Sequence, residues 1–396
     1  MSITYNSTTK TITVSGETNC NFEALYQASV AGGWNVIEKP YENVYYLNAM
    51  LSLATNTTFV DTNKTILING YLINQTNTNI ILVNSGCTLT LGNLADSTYK
   101  VGNQGCDLKF IHIQGQVGRP LIYNNGTINL YGCKISADST QLVYFWSAGT
   151  WKIYSCLLQA ILFESVNNVN NDVANTIFIN VYTYSTTLQL SNVRWLLGVP
   201  NYGHSNLTLT DCYVINPNPL KIFRSGDTSK LKLINTPSTN YSYTLGGANV
   251  NNSGTIEIYY TISPSVITID KQPIQGANIK LFDKNNTLVL DTTTDVNGTI
   301  SSDIIQKLYK FMPDNTLVIT DYNPFTLVVS KDGYETYTST FDLTEKYRSI
   351  ITLTPPEYIY LDKISMVENL NPKINDELLS CNIQQDIISA TIKSEN

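Results

Sequence analysis

The chain has 396 residues and a net charge of −7, and only 14% of its residues are charged, against roughly 25% in ordinary soluble domains. Asn, Thr, Ser and 26 Tyr take the place of the missing charges, while hydrophobic residues hold an ordinary 42%. These values exclude the basic face of a nucleic-acid binder and global disorder, and no apolar run approaches the about 20 residues of a membrane-spanning helix.

The first residues, MSITYNSTTKTITVSG, show no basic region followed by an apolar one. The expectation is a protein made in the cytoplasm without a secretory signal and without membrane insertion. Seven Cys occur, none in CxxC pairs. An odd count without a signal favours reduced thiols over a disulfide framework. Asn-x-Ser/Thr sequons at Asn56, Asn63, Asn125 and Asn206 are the chance products of a chain rich in Asn and Thr.

Residues 1–56 read as an N-terminal cap. Asn21 is placed to cap a short helix, Phe22 to Ala31, with Glu23 in its first turn and Gly32-Gly33 at its end. Phe22, Leu25 and Tyr26 would close the open end of whatever follows. Strands around Val44–Leu51 and Thr57–Val60 lead to a first coil at Thr65–Leu72.

From residue 57 to 262 a weak repeat runs along the chain. A small or turn residue precedes a short alternating strand in GCTLTLGNL, GCDLKFIHI, GTINLYGC, GTWKIYSC, SNLTLTDC, SKLKLINT and GTIEIYYT. The first inward residues are Leu89, Leu108, Ile128, Trp151, Leu207, Leu231 and Ile256. The long step after Trp151 has room for two coils, with the strand around Ile177 as a missing one. One strand per repeat, with Asn, Gly and Ser turns, predicts stacked coils that share one core. Five residues after the markers stand Cys133, Cys156, Cys212, Thr236 and Thr261, a column of small inward side chains. Buried structural thiols, not metal or redox groups, are the expected reading.

Pro264 marks a linker. Residues 263–354 hold short strands and Asn-Asn and Asn-Gly turns at the spacing of a β-sandwich. Residues 355–396 read as a C-terminal extension or attachment segment.

Two family resemblances rest on these residues. Residues 57–262, with their GTINLYGC-type strands, resemble right-handed parallel β-helix proteins of the pectin-lyase-like type. The opening FEALYQASVAGGWNVIEKP and TFVDTNKTILING is similar to the front of β-helix proteins of phages, archaeal viruses and prokaryotic surfaces. Residues 263–354 resemble the carboxypeptidase-regulatory-like, transthyretin-like or Ig-like module, through Pro273 to Ala277, Thr294-Asp295-x-Asn297-Gly298 and Lys331-Asp332-Gly333-Tyr334. The fold class this implies is all-β: a capped right-handed parallel β-helix followed by an Ig-like β-sandwich.

The β-helix family includes polysaccharide lyases and hydrolases, which need paired carboxylates or a calcium-binding acid cluster with a base. The acids here, Asp107, Asp138, Glu164, Asp172, Asp211, Asp227 and Glu257, are scattered. Arg119, Arg194 and Arg224 have no acid cluster beside them. His204 reads as a loop residue and His112 as a satisfied strand residue. Asp295 reads as a turn former, since the bidentate Glu of a calcium loop is missing. No catalytic residue, cofactor or metal ligand is therefore assigned. Tyr144, Trp146, Trp151, Trp195 and Tyr202 are candidate glycan or interface aromatics, with core packing as the competing reading.

The resemblances imply a non-enzymatic virion structural protein of tail-fibre, tail-spike or capsid-decorating type. Its partners would be other virion proteins or copies of itself, such as a homotrimer, and a host surface glycan. A polysaccharide-degrading enzyme and a cell-surface adhesin are the alternatives.

Overall fold

The structure, a computed structural model, describes residues 2–16, 18–69, 79–93, 105–111, 121–137, 142–165, 172–184, 186–196, 205–214, 223–224, 230–236, 245–246, 254–312, 314, 316–356, 383–384 and 387–388. Among these residues nearly all regular structure is strand, with one α-helix. Most of the attachment segment expected at 355–396 lies outside them.

Two large sheets, of fifteen and twelve strands, carry the first two thirds of the chain. The chain winds between them and lays down three strands per full turn. Face one is built from Thr58–Asp61, Thr88–Leu91, Thr127–Tyr131, Thr150–Tyr154, Asp172–Ala174, Thr187–Ser191, Asn206–Thr210, Lys230–Ile234 and Thr255–Ile262. Face two includes Thr65–Asn69, Asp107–Ile111 and Lys134–Ala137. Face three includes Met50–Ala54, Asn79–Val83, Leu121–Asn124 and Val143–Ser147. Strand Leu157–Ser165 serves both, pairing with Lys134–Ala137 at its start and with Val143–Ser147 at its end. It turns at Ala160, with φ 58°, as its successor Ile177–Tyr184 does at Asn180, with φ 55°. Every pairing between these turns is parallel.

The alternation read from sequence sets this register. Leu89, Ile128 and Trp151 are direct partners on face one, and so are Leu207, Leu231 and Ile256. All six point inward and are buried. Leu108 departs from the expected series. It lies on face two between Ile66 and Ile135, so the stretch from Leu89 to Ile128 is one long turn. The step from Trp151 to Leu207 does hold two turns. Their face-one strands are Asp172–Ala174 and Thr187–Ser191, whereas Ile177 sits on the other sheet. The stack also starts earlier than residue 57. Thr11–Ser15 pairs in parallel with Met50–Ala54, and Thr18–Cys20 with Thr58–Asp61.

The corners explain the composition. Between faces one and two, Asn63, Gly132, Ser155, Asn175, Asn192, Asp211 and Asn235 all have φ between 49° and 64°. Asn, Asp and Gly tolerate this left-handed conformation best. Their amides form a ladder to neighbouring turns: Ser155 N donates to Ala174 O at 3.0 Å, Asn175 N to Ser191 O at 3.0 Å and Asn192 N to Thr210 O at 2.9 Å. After the last six of these corner residues the next residue points inward and is Cys133, Cys156, Thr176, Val193, Cys212 or Thr236, all buried, while Lys64 and the buried Cys106 hold the same place in the earlier turns. Cys156 Sγ donates to Leu130 O at 3.4 Å, and Thr236 Oγ1 to Leu209 O at 3.1 Å. In turn Cys133 N donates to Cys156 Sγ, and Cys156 N to Thr176 Oγ1, both at 3.3 Å. Thiol and hydroxyl do the same work here. Burial pushes the Cys212 thiol up to about 11 and raises Cys106 and Cys133 further, so the thiols stay protonated donors. Thr261, expected in this column, is outside it. Its strand runs straight through the corner, and Thr261 instead bonds Asn235 and Asp303.

Between faces three and one the corner column is Thr57, Cys87, Gly126, Gly149, Thr186 and Ser205. Successive turns touch there through their backbones. A Cβ on Gly149 would stand 2.2 Å from Gly126 O, so no side chain fits.

The N-terminal end is closed by the helix Phe22–Ala31. Asn21 Oδ1 accepts from Ala24 N at 2.9 Å, and Asp61 Oδ2, from the next turn, accepts from Phe22 N at 2.8 Å. Phe22 and Leu25 are buried, with Phe22 set edge-on against Phe59 at 5.0 Å. Glu23 clamps the helix to the antiparallel pair Ile37–Tyr41 and Val44–Leu47 by accepting from Lys39 Nζ at 2.6 Å and Tyr45 Oη at 2.7 Å.

At the other end, Thr255–Ile262 takes Ser302–Phe311 as an antiparallel partner, which pairs in turn with Leu317–Asp321. The large sheet thus continues into the last third of the chain. That part has its own core, from Ile262 to Leu353, while the first core ends at Ile258; Tyr260 packs against both. Its four-stranded antiparallel sheet runs Leu288–Thr293, Asn278–Phe282, Phe325–Ser330, Tyr337–Phe341. Lys346 Nζ meets Asp211 Oδ1 at 2.6 Å, and Tyr347 N donates to Thr261 O at 3.0 Å, which fastens this part to the stack.

Replacing Cys156 by Val keeps the volume but removes the partner of Cys133 N–H, which costs about 1–3 kcal/mol. Cys156→Thr restores it. Urea unfolding of both variants should rank Thr above Val by that margin. A second prediction concerns acid. The Lys39, Gln27 and Tyr45 hydrogen bonds lower Glu23 from its ordinary 4.5 to about 2. A depressed carboxylate stabilises the fold above its unfolded value, and that share is lost as pH falls toward the folded one. Protection factors of the helix amides, taken against the intrinsic exchange rate at each pH, should therefore fall between pH 4.5 and 2, and Glu23→Gln should flatten that dependence.

Candidate functional site

Strand alternation places a second set of side chains on the outside of each face. On face three the outward row is Ser52, Leu82, Tyr123, Trp146, Glu164 and Tyr184, one residue per turn. A parallel row carries Tyr144, Leu162 and Tyr182. Trp146 is 43% exposed, and Tyr123 stands edge-on to it at 5.3 Å. Tyr123, Tyr144, Leu162, Glu164, Tyr182 and Tyr184 are half-buried. Four Tyr and one Trp in register form an aromatic strip along a flat sheet. Such a surface stacks on apolar faces of rings and offers hydroxyl and indole donors at its edges.

Trp151 and Trp195 are elsewhere. They end an internal aromatic spine, Trp151–Phe145–Phe163–Phe178–Trp195, with ring centroids 4.8, 5.3, 5.9 and 4.9 Å apart in that order. Trp151 lies flat on Phe145, tilted by 4°. Trp195 Nε1 donates to Val181 O at 3.2 Å, which satisfies its buried N–H. Both are at most 3% exposed, so neither reaches a ligand or partner. Of the five aromatic candidates, the structure brings Tyr144 and Trp146 together on one surface, moves Trp151 and Trp195 into the core, and leaves Tyr202 outside the described residues. Tyr123 was not among them. Spacing marks it: Tyr123 and Trp146 each stand five residues before a face-one marker, Ile128 and Trp151.

Face one is different in character. Its outward row reads Thr90, Asn129, Lys152, Asp172, Gln189, Thr208, Lys232 and Glu257. Tyr131 and Tyr154 pack beside it with ring centroids 5.9 Å apart and planes tilted by 30°. Burial, then the bond it donates to Asp172, pushes the Tyr154 hydroxyl up to about 12. A shallow groove of 660 Å³ crosses the later turns, lined by Thr187, Gln189, Asn206, Thr208, Lys230 and Glu257 among others. Lys232 Nζ sits 4.2 Å over the Tyr259 ring, and Tyr259 Oη donates to Glu257 Oε2 at 3.0 Å.

The acids weighed from sequence are spread over separate places. Glu164 is on face three, Asp172 and Glu257 on face one, Asp107 on face two and Asp211 at a corner, bound to Lys346. Asp138, Asp227, His112, His204 and Arg119 lie outside the described residues. Among the described residues no cluster of three His, Cys, Asp or Glu could hold a metal ion. Asp295 forms a turn, its Oδ1 accepting from Asn297 N at 2.9 Å and Thr299 N at 2.8 Å. These bonds hold its carboxyl below the ordinary range.

The inside and outside tryptophans should separate cleanly. Trp151→Ala removes a stacked core ring and is expected to cost about 3–5 kcal/mol. Trp146→Ala, on the surface, should stay within about 0.5 kcal/mol. Chemical unfolding of the two variants checks both values.

No protein-family model and no curated protein matches the chain. Among solved structures, it is similar to 3-chlorocatechol 1,2-dioxygenase from Rhodococcus opacus 1CP over 28% of its length, at 10% identity and a TM-score of 0.18. It is also similar to the periplasmic alginate epimerase AlgG over 63% of its length, at 8% identity and a TM-score of 0.18. The chain spans 63% of the dioxygenase and 84% of the epimerase.

Proposed function

We propose that the chain up to residue 262 is a right-handed parallel β-helix capped by the helix Phe22–Ala31, and that 263–354 is an Ig-like, carboxypeptidase-regulatory-like sandwich. On this reading the protein is a non-enzymatic structural and adhesive component of a virion, of tail-fibre, tail-spike or capsid-decorating type. Residues 355–396 attach it to its neighbours, which are other virion proteins or further copies of the chain.

The observation that carries the reading is the aromatic strip of Tyr123, Tyr144, Trp146, Tyr182 and Tyr184 on face three. It lies on the flank of a stack whose backbone bonds pass directly from turn to turn. Such a stack holds a flat surface rigid, so a ligand meets rings already in place and little ordering entropy opposes binding. Rings with donor edges suit a surface glycan of the host or an apolar patch on a neighbouring subunit.

Mass spectrometry of purified virions, set beside envelope fractions of the producing cells, tests the assignment. Unmodified peptides at fixed copy number in particles are the expected result. Enrichment in the envelope, with glycans on Asn56 or Asn125, would refute it in favour of a surface adhesin. Trp146→Ala should reduce adsorption of the purified protein to host cells at least tenfold, by about 1.4 kcal/mol, with its melting temperature unchanged.

A further inference from the structure

Among the described residues, the two aromatic rows of face three hold one charge, Glu164. Its neighbours in register are Trp146 in the turn before and Tyr184 in the turn after. Two residues back on the same strand stands Leu162, between Tyr144 and Tyr182. These six side chains make a small grid. Neighbouring turns are about 4.8 Å apart, and the two rows about 6.6 Å. The aromatic pairs Tyr144–Trp146 and Tyr182–Tyr184 therefore lie about 9.6 Å apart, two turns, with the carboxylate between them.

Acids on the other faces stand beside lysines. Asp107 lies in register with Lys134, Asp172 with Lys152 and Glu257 with Lys232. Among the described residues no cation pairs with Glu164 and no group donates to it. A half-buried carboxylate between rings loses hydration and gains no hydrogen bond in return. An acid at this place does nothing for the stack.

The arrangement suits a cation brought by a ligand. An organic ammonium seated on Glu164 forms charge-assisted hydrogen bonds. One strand spacing from each flanking ring, it also lies within the about 6 Å reach of cation–π attraction. A metal ion is not suited, because one carboxylate supplies too few oxygens. The two aromatic pairs add a second requirement, for apolar faces on both sides of the ammonium. A lysine side chain lacks them, whereas a chain of sugar rings has them.

We infer that the strip selects a glycan of amino sugars, whose free ammonium group sits on Glu164 while adjoining rings stack on the two aromatic pairs. This selectivity rests on the reading of face three as a glycan surface. Polymers of uronic acids are disfavoured, because their carboxylates would meet Glu164. Acetylation of the amine keeps the stacking and removes the ion pair.

Isothermal titration calorimetry of the full chain tests this, with oligomers of glucosamine, N-acetylglucosamine and galacturonic acid, below the pKa of the glucosamine amine. The glucosamine oligomer should bind at least tenfold tighter than the acetylated one, and the galacturonate not at all. Glu164→Gln keeps the shape and should erase that preference. Trp146→Ala should weaken both amino-sugar oligomers, and Asp172→Asn on face one should change neither. Equal or tighter binding of the acetylated oligomer or the galacturonate overturns the amino-sugar inference and leaves the glycan reading standing, as does a preference that survives Glu164→Gln. Where a variant fails to fold, the comparison of oligomers on the parent chain decides. Failure of every oligomer to bind, or binding of a lysine homopolymer alone, also overturns it. The adsorption of Trp146→Ala to host cells then judges the glycan reading separately.

Discussion

Register between turns is the constraint on which everything else depends. Each turn leaves its backbone N–H and C=O groups unpaired within itself, and only the next turn satisfies them. Side chains at equivalent positions then lie directly above one another, about 4.8 Å apart. A residue is acceptable only if it tolerates its equivalents as neighbours. At the inward corner this selects small donors, whether thiol or hydroxyl, as in Cys133, Cys156, Thr176 and Cys212. At the left-handed corner it selects Asn, Asp and Gly.

The same constraint accounts for the sparse charge. Like charges stacked at strand spacing repel, so a long parallel stack drives its surface toward Thr, Asn and Tyr. Where two charges meet in register on face one, they are opposite in sign: Lys152 stands beside Asp172, and Lys232 beside Glu257, while Lys230 lies between Asn206 and Thr255. The low charge and high Asn, Thr and Tyr content is thus a property of stacking. The interior responds differently. Its rings are free to cluster, and the spine from Trp151 to Trp195 adds about 0.5–1.5 kcal/mol per contact beyond burial alone.

Much of this was legible in the sequence, for reasons specific to each element. The helix was visible because Asn21, Glu23 and Gly33 are local signals that act on neighbouring residues. The face-one markers were visible because alternation has a period of two on any half-buried strand. Which face a strand joins was not, since GCDLKFIHI on face two looks like GCTLTLGNL on face one. Leu108 was misplaced for that reason. Trp151 was read both as an inward marker and as a surface candidate; alternation alone favoured the first, and the spine agrees. Strands Ser302–Phe311 and Leu317–Asp321 went unread because the register between Ser302–Phe311 and the stack slips near Gln306, which breaks the pattern. Gln306 is buried and donates to Asp321, a pairing that no local pattern announces.

The antiparallel seam between Thr255–Ile262 and Ser302–Phe311 has a mechanical consequence. Strands lie across the axis of the stack, so tension along that axis peels neighbouring turns apart one ladder at a time. At the far end this peeling would meet a strand whose partner belongs to a separately packed core and is tied back by Lys346 and Tyr347. At the near end it meets a ten-residue helix held by Asn21, Asp61 and Glu23. Under load the stack therefore frays from its beginning, and a pull applied at the far end passes into it through the ladder between Thr255–Ile262 and Ser302–Phe311.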